Sequence, residues 1–210
     1  KVDGMILTRT YENDKYVKFL KQKQIPFVAV GKFPDDDVVQ VDHDNVGACK
    51  ELVTVLFAKG IQNIAYLGSN MDQMVNRCRY EEAYRKGKRK LNQDLVYTDL
   101  SSRAMVEKAV EELKNSGVEC ILCQDDYICD EVVRKLARMG VRIPDQMKVA
   151  SCHYSRILEN YPVTITSLKF NITELGRRSC QVLLDMIHGK TVPDKTLLDY
   201  EIILKESTKG

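Results

Sequence analysis

Three groups of side chains in this 210-residue chain are equipped for chemistry: the cysteines, a few scattered Ser, His and Asp residues, and charged residues that follow apolar runs. Cys120 and Cys123 have the spacing of a metal or redox pair, with Cys129 further on. They bracket Cys-Ile-Leu-Cys, which reads as a strand, and residues three apart on a strand point to opposite faces. Zinc is therefore disfavoured. No nucleophile elbow presents a serine to a histidine. Gly68-Ser69-Asn70 lacks the further glycines or the Gly-Lys-Ser/Thr of a phosphate loop. The charged residues are more informative. Arg9 follows an apolar run ending at Leu7, and Lys32 and Phe33 follow one ending at Val30. Asp125 and Asp126 follow Cys123, and His153 follows Ser151. Phe33 could stack on a ring or belong to the core.

The elements that would position these residues are organised around Val38 to Gly68. Val38, Val39 and Val41 are β-branched residues of a buried strand. Asp44 and Asn45 offer side-chain oxygens to a helix start, and Val46, Cys49, Val53, Leu56 and Phe57 line one helical face. Gly60 sits where a helix ends in a left-handed residue, and Ile64 to Leu67 is a second strand. Strand, crossover helix and strand predict a parallel sheet.

The remainder alternates in the same way. Strands are expected over Val2–Leu7, Ile25–Val30, Leu95–Thr98, Cys120–Cys123, Met147–Ser151 and Ile165–Leu168, with Leu197–Leu204 as one closing strand. A first helix turns Val17, Leu20 and Tyr16 inward. A long helix runs from about Gln73 to Leu91. Its basic end, Arg85 to Lys90, has no interleaved aromatics and reads as a solvated face rather than a nucleic-acid patch. Ser102 caps a helix with Met105, Val106, Ala109, Val110 and Leu113 inward. Val132, Val133, Leu136 and Met139 line another, closed by Gly140. The last helix, Ile172 to His188, turns Leu175, Cys180, Leu183, Leu184 and Ile187 inward. The class is α/β, doubly wound, and such sheets bind ligands at the carboxyl ends of their strands. The loops after Leu7, Val30, Leu67, Cys123 and Ser151 are the candidate rim.

A net charge of +2 implies neither nucleic acid nor membrane. No run approaches the roughly 20 apolar residues that span a bilayer. The 7 cysteines are an odd number without framework spacing, mostly in apolar patterns, which suits buried thiols in a reducing cytoplasm.

Six segments in order carry a resemblance: Val-Asp-Gly-Met-Ile-Leu from Val2, Ile-Pro-Phe-Val from Ile25, Val-Asp-His-Asp-Asn-Val-Gly-Ala from Val41 with the Ile-Ala-Tyr-Leu-Gly strand from Ile64, Gly-Val-Arg-Ile-Pro-Asp from Gly140, Thr-Ile-Thr-Ser-Leu from Thr164, and Leu-Lys-Glu-Ser-Thr from Leu204. The chain resembles the effector-binding module of the lactose/galactose-repressor (LacI/GalR) family of transcription regulators, which is similar in fold to periplasmic sugar-binding proteins. The resemblance implies two lobes with parallel doubly wound sheets, residues 1–41 plus 170–193 forming the first and 42–169 plus 194–210 the second. It implies a first lobe lacking two strand–helix units, and a helix-turn-helix head upstream. It implies a small-molecule effector (a sugar, sugar phosphate or similar) between the lobes, a homodimer, operator DNA as partner through the missing head, a cytoplasmic location, no membrane, and neither cofactor nor catalysis.

The same resemblance places effector contacts at Arg77, with Arg79 as the alternative, at Asp125 and at His153, while Asp126 would cap the following helix. His153 stands where the family has an aspartate, which puts a simple sugar in doubt. Arg9, Lys32 and Arg77 together suggest an acidic group such as phosphate. Two other classes stay open: a solute-binding protein of a sugar transporter, and an enzyme on a flavodoxin-like sheet.

Overall fold

The computed structural model describes residues 2–9, 11, 13–35, 37–80 and 95–210. Among these residues ten strands form two sheets. The first contains β1 (Met5–Leu7), β2 (Phe27–Val30), β3 (Gln40–His43) and β9 (Lys195–Leu198), in the order β1-β2-β3-β9 and all parallel. The second has the order β10-β8-β7-β6-β4-β5, comprising β4 (Ile64–Leu67), β5 (Val96–Tyr97), β6 (Cys120–Cys123), β7 (Lys148–Ser151), β8 (Thr166–Phe170) and β10 (Tyr200–Ile203). Only β10 runs antiparallel there, against β8.

Each sheet is covered on both faces, the arrangement a parallel sheet requires. Helix α1 (Lys15–Gln22) buries Val17 and Leu20 against Phe27, Ala29 and Val38, while α6 (Ile172–Ile187) puts Val182 against Val28 and Val41 on the other face. On the second sheet, α2 (Asn45–Ala58) buries Ala48, Cys49, Leu52, Val53 and Leu56. Helices α4 (Arg103–Leu113) and α5 (Asp126–Arg138) pack on the opposite face. β4 and β6 are buried at every residue. Cys120 belongs to the α2 side and Cys123 to the α4–α5 side, as strand alternation requires.

Local signals set most boundaries. Asp44 accepts the Gly47 amide at 2.8 Å and caps α2; Ser102 caps α4. Gly60 and Gly140 end their helices at φ +88° and +69°, a region open to glycine at no steric cost.

The differences are as clear. Tyr16 and Met105, expected inward, are 59% and 41% exposed; both occupy the margins of their helices, where the sheet no longer covers them. On α6 the inward face is Leu175, Ser179, Val182, Leu183 and Met186, with Ile187 at its edge beside Gly4, whereas Cys180 and Leu184 face outward. The closing strand is two strands. β9 pairs with β3, and after Asp199 the chain enters the other sheet as β10 against β8. Residues 195–198 thus lie with the first sheet, not with the second lobe. Helix α3 (Met74–Tyr80) falls within the long helix expected from about Gln73 to Leu91; the rest of that expectation, with the basic run Arg85–Lys90, lies outside the described residues.

The chain passes between the sheets at three adjoining places: His43 to Asp44, Phe170 to Asn171, and Leu198 to Tyr200. The Asp44 amide bonds the Leu198 carbonyl at 3.1 Å and ties two of them together.

Candidate functional site

Several buried or half-buried polar groups meet at these crossings. β3 ends in Asp42 and His43, whose side chains take opposite faces because strands alternate. Asn45, the first residue of α2, carries its amide between them. Asn45 Nδ2 donates to Asp42 Oδ1 at 3.0 Å and to the His43 carbonyl at 3.2 Å. Asn45 Oδ1 accepts from Arg79 Nε of α3 at 3.1 Å, and Arg79 Nη1 donates to the Gln124 carbonyl, at the end of β6, at 3.3 Å. A guanidinium and a carboxylate from the two sides of the junction are thus bridged by one amide.

Arg79 is only 8% exposed. Burial pushes the Asp42 carboxyl up to about 6, against the pull of the His43 amide, the Asn45 amide, the Arg79 charge and the Lys32 amide. Low dielectric disfavours the charged form, and here that outweighs the donors.

The ring of Phe170, at the end of β8, is the second centre. His43 lies 4.9 Å from it, tilted by 46°, and His153 stacks at 6.1 Å and 22°. Arg79 Cζ stands 5.8 Å from the ring centre, within range of a cation–π contact. His153 Nδ1 lies 3.3 Å from Asp126 Oδ1. That hydrogen bond, with one from Ser155, holds the Asp126 carboxyl down at about 2.

Asp125, not Asp126, caps α5, accepting the Ile128 amide at 2.9 Å. The capping role expected of Asp126 thus falls to Asp125, which has the extended backbone of a capping residue, while Asp126 already lies in the helix and its side chain reaches His153. Asp125 Oδ2 still faces Gln124 Nε2 at 3.4 Å.

The other expected contacts are dispersed. Phe33 is 3% exposed and packs with Val17, Leu20, Phe27 and Val38; its ring belongs to the core and offers no stacking face. Arg9 lines a cavity of about 640 Å³ with Leu7, Thr8 and Tyr11. Lys32 lines one of about 220 Å³ with Asp42, Asn45, Cys78 and Lys195. His153 lines one of about 730 Å³ with Arg156, Lys169, Phe170 and Tyr200. Arg77 Nε donates to the Met71 carbonyl at 3.3 Å, and it is Arg79 that enters the junction network. Asp42, His43, Asn45 and Phe170 were not singled out as site residues, although Asp-His closing an otherwise apolar strand is a legible signal.

Burial pushes the Cys120 thiol up to about 12 and raises Cys123 as well, and the Cys152 thiol is raised by its contact with Cys49 and by burial. These thiols are neither nucleophiles nor ready metal ligands at neutral pH, since both roles need the thiolate. Among the described residues no cluster of three or more His, Cys, Asp or Glu side chains is arranged to hold a metal, and no helix is long and apolar enough to cross a membrane.

Known proteins share this architecture. The family described as the periplasmic binding protein-like domain matches residues 53–208. The chain is 26% identical over 215 residues to the HTH-type transcriptional regulator CelR of Thermobifida fusca, covering 98% of this chain and 63% of that protein. It is 27% identical over 213 residues to the HTH-type transcriptional regulator GntR of Escherichia coli strain K12, covering 93% of this chain and 60% of that protein. The chain therefore spans just under two thirds of these relatives' length. A solved complex of the transcriptional regulator CelR with cellobiose superposes with a TM-score of 0.86 at 25% identity, covering 98% of this chain and 66% of that one.

Proposed function

This chain belongs to the periplasmic binding protein-like domain family, and from that membership we propose that it is the effector-sensing domain of a LacI-type transcription regulator. The domain binds a small polar ligand between its two sheets, and binding changes the relation of the lobes. A helix-turn-helix segment upstream of Lys1, in a homodimer in the cytoplasm, converts that change into altered affinity for operator DNA. The domain itself catalyses nothing. A ligand can shift such an equilibrium only by as much as it prefers one arrangement over the other.

The observation that carries this reading is the Arg79–Asn45–Asp42 bridge, which puts buried, orientable polar groups where the chain crosses between the sheets. A buried guanidinium carries five donors in a fixed fork and is suited to a ligand oxygen. We assign ligand contacts to Arg79, Asp125 and His153, with Arg9, Lys32 and Arg77 at the rim. The regulator relatives support the DNA-binding side of the proposal, and the cellobiose in the CelR complex makes a carbohydrate the natural effector class.

A solute-binding protein of a sugar transporter is the reading to exclude. The coding sequence upstream of Lys1 discriminates between them. A helix-turn-helix there agrees with the regulator; a secretory signal peptide overturns it.

A further inference from the structure

His43 is 4% exposed, and its Nε2 is one of the few buried side-chain atoms among the described residues with no hydrogen-bond partner. Leaving a buried polar atom unpaired is costly, so such an atom in a folded protein calls for a reason. The other ring nitrogen is satisfied, since the imidazole bonds the backbone of Asn171, the cap of α6. A backbone carbonyl accepts, so Nδ1 carries the proton. In a neutral ring Nε2 then holds a bare lone pair. Burial, the largest influence, keeps the ring neutral by lowering its basicity, and the nearby Arg79 and His153 act in the same direction.

The surroundings place this lone pair at the ligand site. Phe170 covers the His43 ring at 4.9 Å, and the same aromatic ring touches His153 and Arg79. Phe170 also lines the cavity of about 730 Å³ that His153 opens into. On its other side His43 lines the cavity of about 220 Å³ with Lys32, Asp42 and Asn45, so Phe170 stands between two cavities and beside the unsatisfied acceptor. It sits at the crossing from β8 to α6, where a change in the relation of the lobes would move it.

We propose that His43 is a specificity-determining residue of the effector site: its Nε2 accepts a hydrogen bond from a ligand hydroxyl once Phe170 is displaced. This rests on the effector-sensing reading above. It also selects chemistry. A bare lone pair repels a carboxylate or phosphate oxygen and welcomes a donor, so the group received here is a hydroxyl, and any anionic part of the ligand lies elsewhere, toward Arg79 or the rim lysine and arginines.

The chain has 3 histidines, which makes the ring states directly measurable. In protein labelled with 15N-histidine, we expect one imidazole to show the Nδ1–H tautomer and to stay neutral where an ordinary imidazole is half protonated. Loss of that signal in His43→Gln assigns it. An Nε2–H tautomer or an imidazolium at His43 would overturn the proposal. The binding arm uses glucose, gluconate and glucose 6-phosphate as probes, read by the His43 Nε2 resonance and by thermal unfolding. A probe that binds should move the Nε2 resonance. His43→Phe, which keeps a flat ring without an acceptor, should weaken that probe by about tenfold or more, with part of the affinity restored in His43→Gln. Unchanged affinity in a folded His43→Phe, with binding still lost in Arg79→Ala, defeats this proposal and leaves the effector site standing. Binding that survives both changes, or no response to any probe, counts against the site itself.

Discussion

Asp42 gives the residue scale its sharpest test. Its folded carboxyl titrates at about 6 against an ordinary value of 3.8. A carboxyl raised on folding contributes stability that is fully present below about pH 4 and is lost as pH climbs through about 6. His43, whose basicity is lowered, works in the opposite sense as it is charged on acidification, so wild-type stability alone does not isolate Asp42. The difference from Asp42→Asn does. The variant should gain on wild type by roughly 2–3 kcal/mol between about pH 4 and pH 6, measured by urea unfolding; a constant difference across that window would mean that Asp42 is not desolvated. Asp126, held at about 2, loses its contribution only below about pH 4 and does not interfere. At this scale the sequence was partly readable. That charged residues follow the strands was evident; that Arg79 rather than Arg77 enters the junction was not, because residues two apart on a helix face different ways and only the position of Asn45 decides between them. That Asp125 rather than Asp126 caps α5 has the same origin, a one-residue difference in where the helix begins.

At the scale of elements, the caps and strands were largely legible because their causes are local. Asp44, Ser102, Gly60 and Gly140 act within a few residues of themselves. What escaped depends on distant partners. Nothing between Leu197 and Leu204 marks the change of sheet at Asp199, since both halves are plausible strands and only β3 and β8 claim them separately. The inward face of α6 was set by the short first sheet beneath it, not by the full width of its apolar residues. The α2 start allows a quantitative test. A glycine inside a helix ordinarily costs about 1 kcal/mol relative to alanine, so Gly47→Ala would be expected to stabilise. Here an added Cβ would come within 2.2 Å of Asp44 Oδ2, the side chain that caps this helix. Gly47→Ala should therefore fail to stabilise, and lose up to about 1 kcal/mol as the cap is displaced. In an Asp44→Ala background the same change should be favourable. A double-mutant cycle with no coupling between the two sites would show that the cap and the glycine are independent.

For the whole molecule, the central feature is that three crossings and one polar network occupy the same place. The sheets are built separately, each with helices on both faces, and they meet through groups that are costly to leave unpaired. In the proposed function, the polar contacts of this junction are exchanged for those of a ligand. The order of alternating strands and helices was enough to predict a doubly wound α/β fold, its division into two sheets came from the resemblance, and that resemblance, carried by short segments along the chain, agrees with the family that residues 53–208 match. The chemistry of the junction was less legible, because the Asp42–Asn45 pair, Arg79, Gln124 and Phe170 come from distant parts of the chain and no spacing connects them.

The most direct measurement is thermal unfolding of the wild-type domain and of Arg79→Ala across cellobiose, glucose, gluconate and glucose 6-phosphate. A ligand at about a hundred times its Kd stabilises by about 2.7 kcal/mol, which for a domain of this size is a rise of roughly 5–10 °C. At least one of these compounds should raise the wild-type midpoint by that amount, and Arg79→Ala, still folded, should lose the rise. A rise of the same size in Arg79→Ala would place the ligand away from this junction and contradict the account.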